Sequence, residues 1–177
     1  MNNKKYIIIV SSYHHNNTQK VAQAVGKALK CEVKWTEDIS PEELGDYTLI
    51  GLGSGIYSDS HHPALLKLAK RMQREGGQRV FLFSTCGTPA FALKDKYLSE
   101  YMHKSHGKLG KLLEEKGYQI AGNFMCPGYN TNSFLKLFGG INKARPNTED
   151  LENAQEFAID IVKDKGEILW KKDPQEY

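Results

Sequence analysis

A chain of 177 residues, 40% apolar and 25% charged, has the size and composition of one globular domain with a single core, which excludes a disordered or fibrous polymer. A formal charge of +3 carried on scattered lysines excludes the concentrated basic face of a nucleic-acid-binding protein. Three widely spaced cysteines, Cys31, Cys86 and Cys126, form neither a disulfide framework nor a Cys-x-x-Cys site, so a reducing cytoplasm is the expected compartment.

The run Tyr6-Ile-Ile-Ile-Val10 is continuous and β-branched, as expected of a strand buried on both faces of a parallel sheet. It is too short for a secretory signal, and no stretch approaches membrane-spanning length, so no membrane association is expected. After the polar segment Ser11 to Asn17, Val21, Val25, Ala28 and Leu29 recur at helical spacing, with Asn17 or Thr18 as the expected cap. Cys31 to Trp35 alternates apolar and charged residues, the pattern of an edge strand. Thr48 to Gly53 and Arg79 to Ser84 read as two further buried strands. Between them, Leu65, Leu68, Ala69 and Met72 share a helical face, with Pro63 in the first turn and Gly76-Gly77 as the stop.

Further on, Leu109, Leu112 and Leu113 mark a helix over 104–116, its lysines on the solvated side. Tyr118 to Cys126 follows as the other edge strand. A last helix begins at Asn147 or Thr148, buries Leu151, Ala154, Ala158 and Ile161, and stops around Lys163, Lys165 and Gly166. Strands alternating with helices in this way define an α/β domain, a doubly wound five-stranded parallel sheet in the order 2-1-3-4-5 with helices on both faces. Its switch point lies between the first and third strands, so ligands belong at the turns after the first, third and fourth.

Those three turns share a chemistry. Ser11 to Thr18 offers hydroxyls, amides and free backbone N–H groups at a helix start but no lysine or arginine, which suits a single phosphomonoester and excludes a nucleoside triphosphatase. Gly53-Ser-Gly-Ile-Tyr57 combines glycines with an aromatic able to stack on a flat ring. Its Gly51-Leu-Gly-Ser-Gly55 portion lacks the spacing and placement of a dinucleotide fingerprint. Ser84-Thr-Cys-Gly87 is small and leaves room for a ligand edge. Cys86 there reads as a loop thiol rather than a nucleophile. The pairs His14-His15 and His61-His62 read as exposed loop histidines, with no metal site expected because adjacent residues rarely face one ion. The segment 127–146 is longer than an ordinary connection and is expected to cover a ligand or a partner surface.

Taken together these motifs resemble the flavodoxin-like family of short, single-domain FMN-binding proteins. Gly139-Gly-Ile-Asn-Lys-Ala-Arg-Pro146 resembles a stretch before the last helix of such proteins. By position, the resemblance implies that Ser12, His14, Asn16, Asn17 and Thr18 hold the FMN phosphate. Tyr57 would flank the isoalloxazine with Gly55 nearby, Ser54 and Ile56 of the same loop would also contact the cofactor, and Ser84, Thr85, Cys86 and Gly87 would bind its pyrimidine edge. Asn16 stands where that family usually has glycine, and the net charge is +3 where shuttle flavodoxins are acidic. The implied function is FMN-dependent electron transfer with a redox partner protein or a small electron acceptor. Two alternatives stand beside it: an NAD(P)H-dependent FMN oxidoreductase acting on quinones or similar acceptors, and a flavin-free interaction module.

Overall fold

The computed structural model describes residues 5–73, 78–93 and 95–163. The strands are β1 (Tyr6–Ser11), β2 (Glu32–Trp35), β3 (Leu49–Tyr57), β4 (Ser60–His61), β5 (Arg79–Cys86) and β6 (Gln119–Pro127), and the helices are α1 (Asn17–Leu29), α2 (Pro63–Arg71), α3 (Asp95–Glu115) and α4 (Thr148–Val162). Five strands form a parallel sheet in the spatial order β2-β1-β3-β5-β6, the expected doubly wound topology. The sixth, β4, folds back on β3 as an antiparallel hairpin. The expected stops at Gly76-Gly77, Lys165 and Gly166 lie outside the described residues.

Alternation along the strands divides the core into two layers. Ile7, Ile9, Ile50, Leu52, Val80 and Leu82 pack with Leu65, Leu68 and Ala69 of α2 and with Leu109 and Leu113 of α3. On the other face Ile8, Val10, Phe81 and Phe83 meet Val21, Ala22 and Val25 of α1 and Ala154, Ala158 and Ile161 of α4. The same alternation explains Gly51 and Gly53. They register with Phe81 and Phe83 of β5, and a Cβ on Gly53 would stand 2.1 Å from the Phe83 ring. These glycines make room for phenylalanines in the core, a packing role.

Two elements differ from the sequence expectation. β3 runs four residues beyond Gly53, so the presumed second turn is largely strand. It ends in a two-residue turn at Ser58 and Asp59, both with positive φ, as a tight hairpin of right-handed strands requires. α3 begins nine residues before Lys104, and its first turns carry Tyr97 stacked on Tyr101 at 6.0 Å. α4 is capped as expected: Asn147 Oδ1 accepts from the Asp150 N–H at 2.9 Å, and Asp150 Oδ2 accepts from the Asn147 N–H at 2.8 Å.

Candidate functional site

The carboxyl ends of β1, β3 and β5 bring the three turns together, and the start of segment 127–146 joins them as a fourth wall. The cleft they enclose is open to solvent and holds about 470 Å³ of empty space, its mouth included. All the residues named from sequence line it except Asn16, Ser54 and Ser84. The lining holds no Lys, Arg, Asp or Glu.

Two residues of the first turn, His15 and Asn16, adopt left-handed backbone conformations with φ 54° and 53°. Asn and His are among the non-glycine residues that tolerate this region, so Asn16 meets the backbone demand that glycine serves elsewhere. Asn16, rather than Asn17 or Thr18, is the N-cap of α1, and its side chain makes no capping bond. Within 12–18 the one backbone N–H bonded to a carbonyl of the described residues is that of Asn17, to His14 at 3.4 Å. The remaining N–H groups stand at the positive end of the α1 dipole, a setting that in general favours negative charge.

Side chains of this turn knit the walls together. Asn17 Nδ2–H donates to the Tyr129 carbonyl at 2.8 Å, and the Thr18 and Thr85 hydroxyls share a buried bond of 2.8 Å. His15 Nε2 meets the Thr131 hydroxyl at 2.8 Å while its ring lies 4.2 Å from that of Tyr129. Asn17 Oδ1 is buried without a partner among the described residues and belongs to a residue lining the cleft. It is a standing acceptor for a ligand hydroxyl. Close approach of the fourth wall depends on glycines: a Cβ on Gly128 would stand 2.8 Å from Asn17 Nδ2, and one on Gly87 2.3 Å from Asn130 Nδ2. Tyr129, Asn130, Asn132 and Gly128 had no motif to announce them in the sequence; the unusual length of their segment was the available signal.

Aromatic rings cluster at the opening. Tyr13 stacks on His62 at 4.5 Å, Tyr57 meets the edge of His62 at 5.5 Å, and His14 lies 5.8 Å from Tyr57. Burial pushes the Tyr57 phenol up and, with His14 nearby, the His62 imidazole down. His62 Nδ1 accepts from the Ala64 N–H at 3.2 Å and so caps α2. Burial also raises the Cys86 thiol, which keeps it protonated and fits a structural loop thiol.

Ser54 and Ser84, cross-strand neighbours one residue below the cleft, turn into the core. Ser84 Oγ–H donates to His106 Nε2 at 2.8 Å, and His106 Nδ1–H donates to Asn123 Oδ1 at 2.9 Å. Ser54 Oγ lies 2.9 Å from His61 Nδ1. The two imidazoles are buried and 4.7 Å apart. Burial drives His106 down to about 4, and burial with the neighbouring His106 drives His61 well below 6.5. His61 is therefore a neutral core residue, which corrects the expectation of exposed loop histidines; His14 and His15 are exposed as expected. The hairpin turns His61 inward, and His106 has nothing in its local sequence to set it apart from the polar face of its helix. Among the described residues no group of three or more potential ligands could hold a metal ion, and no helix is long and apolar enough to cross a membrane.

The exposed large apolar side chains among the described residues are Tyr13, Phe91, Tyr97, Leu137 and Phe138. They lie on segments that follow the carboxyl ends of sheet strands: Tyr13 after β1, Phe91 and Tyr97 after β5, and Leu137 and Phe138 after β6. Lys136 and Lys143, both exposed, flank Leu137 and Phe138.

Fold and site together define a flavodoxin-type α/β protein with an uncharged cleft at its switch point. A family model for the flavodoxin domain matches residues 7–133, and the chain belongs to that family of flavin-type redox proteins. It is 38% identical over 147 residues to an uncharacterized protein of Methanocaldococcus jannaschii, spanning 83% of this chain and 91% of that one. Among solved structures it resembles oxidised flavodoxin 2 of Bacillus cereus, with TM-score 0.64 and 17% identity over 90% of this chain and 99% of that chain. It also resembles the rubredoxin oxygen:oxidoreductase of Desulfovibrio gigas, with TM-score 0.64 and 16% identity, covering 90% of this chain but only 35% of that longer one.

Proposed function

We propose that the cleft binds FMN and that the protein carries electrons between this flavin and a redox partner. The reading is carried by one observation: turns far apart in sequence, Ser12–Thr18, Gly55–Tyr57 and Thr85–Gly87, converge on a cleft free of formal charge. Free N–H groups of the first turn would hold the phosphate, aided by Ser12 and His14. Tyr57 would lie against the ring, with Thr85, Cys86 and Gly87 at its pyrimidine edge. Asn17 Oδ1 would accept from a ribityl hydroxyl. When bound, the isoalloxazine supplies the redox chemistry; the chain binds, orients and shields it.

The adjacent exposed side chains Leu137 and Phe138, on the segment that supplies Tyr129, Asn130 and Asn132 to the cleft, support a protein partner over a small acceptor, because contiguous exposed apolar groups mark interaction surfaces. With Lys136 and Lys143 beside them, that partner carries acidic groups at its own contact face. The free thiols Cys31, Cys86 and Cys126 accord with a reducing cytoplasm.

An absorption spectrum after addition of FMN and desalting tests the cofactor, and a preparation that stays colourless refutes it in favour of a flavin-free module. Titration with FMN and with riboflavin then tests the phosphate grip. Replacing Asn17 and Thr18 together by alanine and valine removes the ties that shape the first turn, and the preference for FMN over riboflavin should vanish. A retained preference refutes the assignment. Steady-state oxidation of NADPH by the loaded protein would instead favour the reductase.

A further inference from the structure

Ser54 has one hydroxyl proton to give and two lone pairs to receive, yet its oxygen meets three groups. The His62 N–H donates to it at 2.9 Å. The Gly55 carbonyl, an acceptor only, lies at 2.9 Å and takes the hydroxyl proton. His61 Nδ1, also at 2.9 Å, is left with one role: it is protonated and donates into the second lone pair. His61 is thereby held as the Nδ1–H tautomer, with a bare Nε2 that is buried and has no partner among the described residues. A leucine would fill the same space without stranding a nitrogen, so the imidazole is explained by its Nδ1 donor and not by packing.

What the donor secures is the direction of the Ser54 hydroxyl. With both lone pairs occupied, the proton has no choice but the Gly55 carbonyl. Gly55 lines the cleft, and the Tyr57 ring lies over it, 3.0 Å from where a Cβ would stand. Packing against the His106 ring, itself held by Ser84 and Asn123, fixes the plane of His61 from below. Resting on the FMN reading of the cleft, we propose that Ser54 and His61 are positioning residues that lock the Gly55 peptide in the wall of the cleft and so set the relative affinity for oxidised and reduced flavin.

Nuclear magnetic resonance of the ligand-free protein tests the lock directly. Long-range ¹⁵N correlations should show His61 as the Nδ1–H tautomer, and Ser54→Ala should move both the His61 ring nitrogens and the Gly55 carbonyl ¹³C resonance. An Nε2–H tautomer in the parent protein, or an unmoved Gly55 carbonyl, overturns the proposal whether or not the protein takes up FMN. In the loaded protein, asparagine places an amide donor where Nδ1 stands, while glutamine places it near Nε2. His61→Asn should therefore keep the ratio of affinities for reduced and oxidised FMN, and His61→Gln should change it about three- to ten-fold, as loss of one neutral hydrogen bond does. Equal ratios for the two variants refute the positioning role. A parent protein that binds no FMN refutes the cofactor reading and leaves the resonance test to decide the lock.

Discussion

Acidification should weaken this protein through its buried histidines, and His106 allows the effect to be sized. Its side chain is enclosed between Ser84 and Asn123, and burial lowers its proton affinity from the ordinary 6.5 to about 4. Below pH 6.5 the unfolded chain takes up a proton that the folded chain refuses, so stability is complete above 6.5 and falls as the pH drops toward 4. At about 1.4 kcal/mol per pH unit, moving from pH 7 to pH 5 costs roughly 2 kcal/mol from this residue. His61, depressed in the same direction, adds to the loss. Urea unfolding at both pH values measures it, and with a slope of about 2 kcal/mol per molar the His106 part moves the midpoint by about 1 M. His106→Gln keeps a polar contact to Ser84 but cannot titrate. That variant is less stable at pH 7 yet should lose roughly 2 kcal/mol less than the parent on acidification. Equal losses would show that His106 is protonated in the fold, and the argument from burial would fail.

Other perturbations have similarly defined outcomes. Gly53→Ala drives a methyl into the Phe83 ring and should cost about 1–3 kcal/mol in urea unfolding; a neutral result would mean that the sheet gives way there. Asn147→Ala removes one half of the α4 capping box and should cost about 1 kcal/mol, seen as a lowered melting temperature. Leu137→Ser with Phe138→Ser replaces side chains that are 84% and 78% exposed, so stability should stay within about 0.5 kcal/mol. Electron exchange with an acidic protein acceptor should nevertheless slow, and an unchanged rate would remove these residues from the docking face.

Chain order and sheet order were readable because strands buried on both faces advertise themselves: Tyr6 to Val10 and Arg79 to Ser84 admit no other element. The Ser58-Asp59 hairpin escaped notice because its positive φ angles are met without glycine, so the usual turn signal is missing. The first half of α3 was hidden for another reason. Its Tyr97 is exposed, and the first side chains it buries fully, Ser105 and His106, are polar, so a buried apolar face is not marked until Leu109. At the site, polar residues in the three turns were legible by kind but not by direction. Ser54 and Ser84 look like their neighbours in sequence, and only strand alternation decides that they face the core while Gly55 and Thr85 face the cleft. Tyr129 and Asn130 reach the site through tertiary contacts that no local pattern encodes.

The charge-free lining of the cleft bears on how a bound anion would respond to its medium. Mobile ions weaken attraction between separated charges, over about 8 Å at physiological ionic strength, but they compete poorly with amide dipoles already aimed at an oxygen from hydrogen-bonding range. A phosphate seated among such donors should stay put in concentrated brine. Electrolyte would loosen only the lysine-assisted embrace at the rim, leaving cargo and courier differently sensitive to the same solution.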